Sequence, residues 1–115
     1  MQPNLQQVYL NDNKIKSLAP LRLHQSLRVL GASYNYINVL PVMGVAELKV
    51  LKLNANGIKQ IPTLTGLVNL HILELSENRI ESVEPLLSAV ELRFIDLSYN
   101  FISDFSQLSS LPKLQ

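Results

Sequence analysis

Side chains that could serve a catalytic or metal site are few in this sequence and widely spaced. The two histidines, His24 and His71, are far apart, and without any cysteine a zinc site would lack its usual ligands. Glu74 and Asp96 are 22 positions apart (96 − 74 = 22), and carboxylates brought together could share a proton or hold a cation. Neither G-x-x-x-x-G-K-[ST] nor G-x-G-x-x-G is present, so no phosphate-binding loop is predicted. We predict no catalytic residue, no metal and no cofactor: the chain is not an enzyme.

A recurring asparagine organises the whole chain. It occupies five positions, separated by 22, 21, 22 and 22 residues: Asn13, Asn35, Asn56, Asn78 and Asn100. The frame around each one reads L-x-x-L-x-L-x-x-N-x-I-x-x-L, with apolar substitutes at some positions. Five frames in register predict a solenoid of stacked repeats, because no single repeat can bury its apolar face alone.

Each part of the frame has a structural interpretation. Alternating apolar residues such as Leu73 and Leu75 predict a short strand with one buried face, and strands of successive repeats would stack in parallel. The I-x-x-L spacing fits a 3₁₀ segment on the opposite side. Four prolines follow the repeated asparagine by six or seven residues and favour a turn or a first helical position: Pro20, Pro41, Pro62 and Pro85. A buried asparagine amide must be hydrogen-bonded, so we predict that these asparagines bond neighbouring repeats and bind no ligand.

The frame resembles the leucine-rich-repeat superfamily. Its 22-residue length resembles the class that includes the nuclear regulatory subunit of protein phosphatase 1 and the axonemal dynein leucine-rich-repeat light chain. The resemblance implies an α/β right-handed solenoid, or horseshoe, with a parallel concave β-sheet and short 3₁₀ or helical turns on the convex side. It also implies a protein partner on the concave face. Ala32 replaces a core leucine, and the next interval is one residue short, so looser packing is expected there.

We predict a single leucine-rich-repeat domain over residues 1–115. It divides into about five repeats, approximately 5–26, 27–47, 48–69, 70–91 and 92–113. Solenoids need terminal caps with a polar outer face, and the sequence indicates no capping helix at either end. The expectation is therefore either a fragment of a longer repeat protein or a chain whose last turn is covered by a partner.

Composition and charge narrow the function. The chain is 47% hydrophobic and 17% charged, which predicts a folded domain, and its net charge of +1 argues against a protein built to grip phosphates. Residues 1–59 carry 7 − 2 = +5, whereas residues 60–115 carry 3 − 7 = −4. An elongated chain with ends of opposite charge is expected to be a monomer or to associate weakly head to tail.

The sequence also predicts a compartment. It has no cysteine, no secretory signal is visible near its start, and its apolar stretches are too short to span a bilayer. We predict a cytoplasmic protein that does not bind membrane, with the nucleus or a cilium or flagellum as alternatives.

Strand positions between the inward leucines predict columns of side chains on the concave surface. One column is an apolar stripe, made of Val29, Val50, Ile72 and Phe94. The column before it is a basic row, made of Arg28, Lys49, His71 and Arg93. A third column changes from basic to acidic, and two tyrosines precede repeat asparagines. The predicted partner-binding residues are Arg28, Val29, Tyr34, Lys49, Val50, Lys52, His71, Ile72, Glu74, Arg93, Phe94, Asp96 and Tyr99. An exposed apolar stripe with a charged border usually marks an interaction site, although β-branched residues also simply suit strands.

These columns predict a non-catalytic protein-interaction module, of the scaffold or regulatory-subunit type, that binds a partner on its concave face. The expected ligand is an amphipathic helix or strand, apolar on one side and with an acidic edge, and a helix is the first choice. One alternative is a recruitment or recognition segment of a larger enzyme or receptor. A weaker alternative is an RNA-binding surface, on which aromatic side chains would stack bases.

Overall fold

The computed structural model describes residues 5–114, and its central feature is a five-stranded parallel sheet. The strands are β1 (Gln7–Tyr9), β2 (Val29–Gly31), β3 (Val50–Lys52), β4 (Ile72–Glu74) and β5 (Phe94–Asp96). They lie side by side in chain order, and equivalent positions of successive repeats are paired throughout. The predicted solenoid with a parallel sheet is confirmed. The ends of the predicted domain, residues 1–4 and 115, lie outside the described range.

The core runs along the solenoid axis beneath the sheet. The middle residue of each inner strand, such as Leu51, is fully buried, as is the isoleucine after the repeat asparagine, such as Ile58. Each buried leucine or isoleucine contributes roughly 1.5–3 kcal/mol relative to an exposed one. The equivalents in the first and last repeats, such as Ile15 and Ile102, are only partly buried because a neighbouring repeat covers them on one side alone. Within residues 5–114, no helix is long and apolar enough to cross a membrane.

Three 3₁₀ helices lie opposite the sheet. They span Ala19–Leu21, Glu84–Ser88 and Ser106–Ser110, in the first, fourth and fifth repeats. Pro20 and Pro85 lie in the first turn of their helices, as predicted. Pro41 and Pro62 lie instead in irregular connections of the second and third repeats.

The position of the proline explains this difference. The residues that cap the first and fourth-repeat helices have near-helical angles, with φ −100° and ψ 10° at Leu18 and φ −97° and ψ 0° at Val83. In the second and third repeats the proline comes one position earlier, directly after the equivalent residues Leu40 and Ile61. A residue before proline is driven toward extended angles, so this cap conformation is disfavoured and no helix begins.

The repeated asparagines form a ladder of side-chain hydrogen bonds between repeats. The Asn78 amide nitrogen donates to the carbonyl oxygens of Leu53 (3.0 Å), Leu75 (3.0 Å) and Ser76 (3.2 Å). Its Oδ1 atom accepts from the backbone N–H groups of Asn56 (3.2 Å) and Ile58 (3.1 Å). The same pattern recurs at the other inner positions, with Asn35, Asn56 and Asn100 each bonding the preceding repeat. The predicted bonding to a neighbouring repeat is confirmed at these four asparagines, whereas the Asn13 side chain donates to the Leu10 and Asn11 carbonyls of its own repeat.

A second polar ladder lies two residues before the first. Oδ1 of Asn11 accepts from the Ser33 backbone N–H (2.8 Å), and the Ser33 hydroxyl oxygen accepts from that of Asn54 (3.0 Å). Oδ1 of Asn54 then accepts from the Ser76 backbone N–H (2.8 Å). These side chains therefore bond the backbone of the next repeat and hold the strand ends in register.

The second repeat is packed as closely as its neighbours. Ala32 is fully buried, as are Val45 and all but a small fraction of Met43, which lie on the convex side of this repeat. The expected looser packing is therefore not observed. The third repeat approaches this region closely at Gly66, where an added Cβ atom would clash with the Met43 carbonyl oxygen and lie 3.0 Å from the Gly44 Cα atom.

This close approach predicts that Gly66→Ala lowers the free energy of unfolding by about 1–3 kcal/mol, since backbone atoms must move to admit a methyl group. Urea-induced unfolding would measure the change. Gly57→Ala is the matched control, because its Cβ would meet only the Asn38 Cβ atom, at 3.9 Å. Equal stability of the Gly66→Ala and Gly57→Ala variants would show that the contact between these repeats is not tight.

Candidate protein-interaction surface

The predicted apolar stripe is a continuous row across the sheet. The first residues of β2 to β5 are paired in register: Val29 with Val50, Val50 with Ile72, and Ile72 with Phe94. The side chains of Val29, Val50 and Ile72 are half-buried, and that of Phe94 is exposed over 48% of its surface. The buried middle residues of these strands point away from this face, so the stripe is the accessible apolar surface of the sheet.

The predicted basic row lies directly before the strands. The backbone N–H of Lys49 donates to the Arg28 carbonyl, that of His71 to the Lys49 carbonyl, and that of Arg93 to the His71 carbonyl. These bonds place the four side chains in adjacent repeats. The Arg28 guanidinium also lies 3.3 Å from a carboxylate oxygen of Glu47, an exposed ion pair worth little energetically.

The pKa of His71 is affected by the positive charges of this row. Partial desolvation lowers the pKa of its imidazole below the usual value, and the charges of Arg93 and Lys49 lower it further. The carboxylate of Glu91 raises this pKa but does not reverse the shift. The row is therefore an electropositive border of the stripe, and His71 adds to its charge only in acid.

The third strand position changes sign along the sheet, from Lys52 to Glu74 and Asp96. Glu74 lies 3.7 Å from the Lys52 ammonium and accepts a hydrogen bond from the Asn54 amide at 2.9 Å. Asp96 instead accepts from the backbone N–H and hydroxyl of Ser98. The two carboxylates thus have separate partners, and the described residues contain no cluster of three potential metal ligands.

The two predicted tyrosine anchors lie beyond the strands, at a position with unusual backbone geometry. Tyr34 has φ 59° and Tyr99 has φ 57°, and the same left-handed conformation recurs before each repeat asparagine, at Asp12, Ala55 and Glu77. Non-glycine residues seldom adopt this conformation, which costs roughly 1–2 kcal/mol. Here the two ladders on either side impose it. Both tyrosine rings are exposed, but the third and fourth repeats lie between them, so they do not form one contact point.

Four exposed aromatic residues lie outside the predicted partner-binding set: Tyr9, Tyr36, Phe101 and Phe105. Tyr36 and Phe101 directly follow the repeat asparagines that Tyr34 and Tyr99 precede. An aromatic–Asn–aromatic triplet therefore occurs twice in the sequence. That triplet is the signal that could have revealed them. The ring Cδ1 atom of Tyr9 lies 3.2 Å from the place a Cβ atom would occupy on Gly31. The missing side chain at Gly31 thus lets Tyr9 extend over β2.

A surface depression of about 370 Å³ adjoins the sheet at Arg93, and others lie away from the sheet. One of about 280 Å³ is on the flank of the third and fourth repeats. Its lining residues are Lys59, Gln60, Ile61, Glu81, Ser82, Glu84 and Pro85, which include charges of both signs and no histidine. We therefore take the sheet surface as the candidate site.

The family of the chain follows from this fold and from a match to a family model. Residues 46–88 match the model described as leucine-rich repeats in two copies. The five in-register frames, the parallel sheet and the asparagine ladder extend the same architecture over the rest of the described chain. Residues 46–88 belong to the leucine-rich-repeat superfamily, and the rest of the described chain has the same repeat fold. No curated protein sequence matches it.

Solved structures show the same fold. An internalin (inlF) from Listeria monocytogenes superposes with a TM-score of 0.91 at 29% identity over 98% of this chain. Internalin C2 (inlC2) from the same organism gives a TM-score of 0.68 at 30% identity over 97% of it. A leucine-rich-repeat protein from Leptospira interrogans shares the fold, with a TM-score of 0.67 at 24% identity over 96% of this chain. This chain spans 34%, 60% and 36% of those proteins, respectively.

The environment of His71 yields a prediction for solution. We expect NMR titration to show an imidazole pKa below that of a free histidine. Changing Lys49 and Arg93 together to glutamine should raise this pKa only in part, because partial desolvation is its largest cause. A pKa that does not change in the double variant would show that the row is not close enough to act on His71.

Proposed function

We propose that this chain is a non-catalytic protein-interaction module that binds its partner on the concave face of the sheet. Leucine-rich-repeat folds are generally protein-interaction modules. The observation that carries the proposal is the alignment of Val29, Val50, Ile72 and Phe94 in one row with a parallel basic row beside it. Accessible apolar surface with a charged rim is typical of protein interfaces.

An amphipathic helix fits this surface by its repeat distance. Adjacent strands lie about 4.8 Å apart, and an α-helix advances about 5.4 Å per turn. A helix crossing the strands would therefore place about one apolar side chain over each repeat. The stripe has four members, so it matches about three turns of helix with anchors spaced three or four residues apart.

Charge gives the helix a preferred rotation. One border of the stripe is the basic row, where Lys49 and Arg93 have no ion pair among the described residues. The other border carries Glu74 and Asp96 in the last two repeats. A partner with acidic residues along one edge would thus lie with that edge over the basic row, and basic residues on its opposite edge would face the carboxylates.

Two other functions receive less support. Glu74 and Asp96 border the stripe and would repel phosphates, which disfavours RNA as the ligand. A role as the recruitment segment of a larger enzyme or receptor is compatible with the same surface, because the chain spans 34% and 36% of two of the matched proteins. The cytoplasmic location stays a prediction from the sequence.

A variant that introduces negative charge into the apolar stripe tests the concave surface. We expect the triple variant Val50→Asp, Ile72→Asp and Phe94→Asp to lose the partner that the wild-type protein captures from cell lysate. With that partner purified, affinity should fall at least about 30-fold, because removal of one interface anchor alone commonly costs 2 kcal/mol. Circular dichroism must show that the variant is folded.

The matched control is Val42→Asp, Val68→Asp and Val90→Asp, which alters three exposed valines outside the strands. It should retain full affinity. If both variants bind equally well, or if the control alone loses the partner, the site lies elsewhere on the solenoid. If the wild-type protein instead captures nucleic acid, and its affinity falls steeply as the salt concentration rises, RNA would be the favoured ligand.

A further inference from the structure

We propose that Asn56–Gly57 is a site of spontaneous deamidation, and that the reaction breaks the asparagine ladder between the second and third repeats. The backbone nitrogen of Gly57 loses its proton to base and attacks the side-chain Cγ atom of Asn56. The Cγ–Nδ2 bond breaks, and ammonia leaves. Water then opens the cyclic imide at either carbonyl and gives aspartate or isoaspartate.

Gly57 is the only glycine that follows an asparagine in the sequence. The residue after the repeat asparagine is Lys14, Tyr36, Arg79 or Phe101 in the other repeats, and each of these side chains hinders the approach of the nitrogen to Cγ. Space above Gly57 is open, because an added Cβ would meet only the Asn38 Cβ, at 3.9 Å. Ring closure at this position therefore meets no obstacle from neighbouring side chains.

The attacking nitrogen also differs from its counterparts in hydrogen bonding. Tyr36, Arg79 and Phe101 donate their backbone N–H groups to the carbonyl oxygens of Ile15, Ile58 and Ile80, at 2.8–2.9 Å. Among the described residues, the Gly57 N–H donates to no acceptor. The backbone N–H of Gly57 therefore gives up no hydrogen bond when its nitrogen attacks, whereas the equivalent N–H at Tyr36, Arg79 or Phe101 would lose one.

Asn56 itself is held but accessible. Its amide nitrogen donates to the carbonyl oxygens of Ala32 (3.1 Å), Leu53 (3.1 Å) and Asn54 (3.2 Å), and its Oδ1 accepts from the Ile37 N–H (3.0 Å). These bonds must open before the amide can rotate toward Gly57, so local opening sets the rate. Asn56 is nevertheless partly exposed, whereas the equivalent Asn35 and Asn78 are buried. Water can therefore reach the imide at this repeat.

Deamidation replaces a hydrogen-bond donor with a carboxylate. The product faces three carbonyl oxygens with no proton to donate, and a negative charge is left in a partly buried site. The isoaspartate form also lengthens the backbone within the turn. Either product weakens the bonds that join the third repeat to Ala32 in the second. The reaction would therefore alter one interface, that between the second and third repeats, and the alteration would be irreversible.

Peptide mass mapping tests the site directly. The purified chain would be incubated folded, in mildly alkaline buffer, beside the Gly57→Ala variant. We expect an amide-to-acid conversion at Asn56 in the wild-type protein, its loss in Gly57→Ala, and no conversion at Asn35, Asn78 or Asn100. Absence of conversion at Asn56 would overturn the proposal, as would equal conversion in the variant.

Unfolding measurements test the structural consequence. The deamidated fraction, separated by charge, should unfold at a lower urea concentration than the unmodified chain. Asn56→Asp should reproduce the shift, while Asn69→Asp, at an exposed asparagine, should not. If Asn56→Asp does not fold, the separated fraction of the wild-type protein still gives the comparison. An unchanged midpoint in that fraction would contradict damage to the ladder.

Discussion

The hydrogen bonds of the repeated asparagine amide are the interaction on which the rest of the structure depends. The chain bends away from each strand at this residue, so some backbone groups there accept from or donate to the asparagine side chain and not to one another. Asn35 and Asn78 satisfy those groups within their own repeat and in the preceding one, and both are almost fully buried. An unsatisfied buried amide or carbonyl costs more than a single hydrogen bond gains. The main effect of the ladder is therefore to fix the position of each repeat relative to the next, more than to add binding energy between them.

The candidate interaction surface follows from that constraint. Apolar burial holds neighbouring repeats together, but it is not directional. The amide ladder and the Asn11–Ser33–Asn54 ladder fix the strand ends. Equivalent residues of adjacent repeats therefore lie side by side, as Val50 does with Ile72 and Lys49 with His71. A regular row of side chains results along the sheet. The same geometry imposes the left-handed backbone at Tyr34 and Tyr99, and it leaves their rings exposed beside the sheet.

Periodicity alone predicts the strands, the core positions and the columns, because a period of 22 residues assigns the same role to equivalent residues. It predicts less where a repeat departs from the frame. The shift of one position at Pro41 and Pro62 removes a helix through a steric effect on the preceding residue, which the spacing of apolar residues does not show. Side-chain exposure also depends on neighbours. Tyr9 extends over β2 because Gly31 has no side chain. The exposure of Tyr36 and Phe101 depends on which residues flank the asparagine.

Equilibrium unfolding of Asn78→Ala is the most direct test of the central claim. The substitution removes three donated and two accepted hydrogen bonds between and within repeats. The comparison is Asn69→Ala, which removes one exposed bond to the Ala46 carbonyl. The account predicts a loss of about 3 kcal/mol for Asn78→Ala, and less than about 1 kcal/mol for Asn69→Ala. Equal, small losses would show that apolar stacking alone holds the repeats in place.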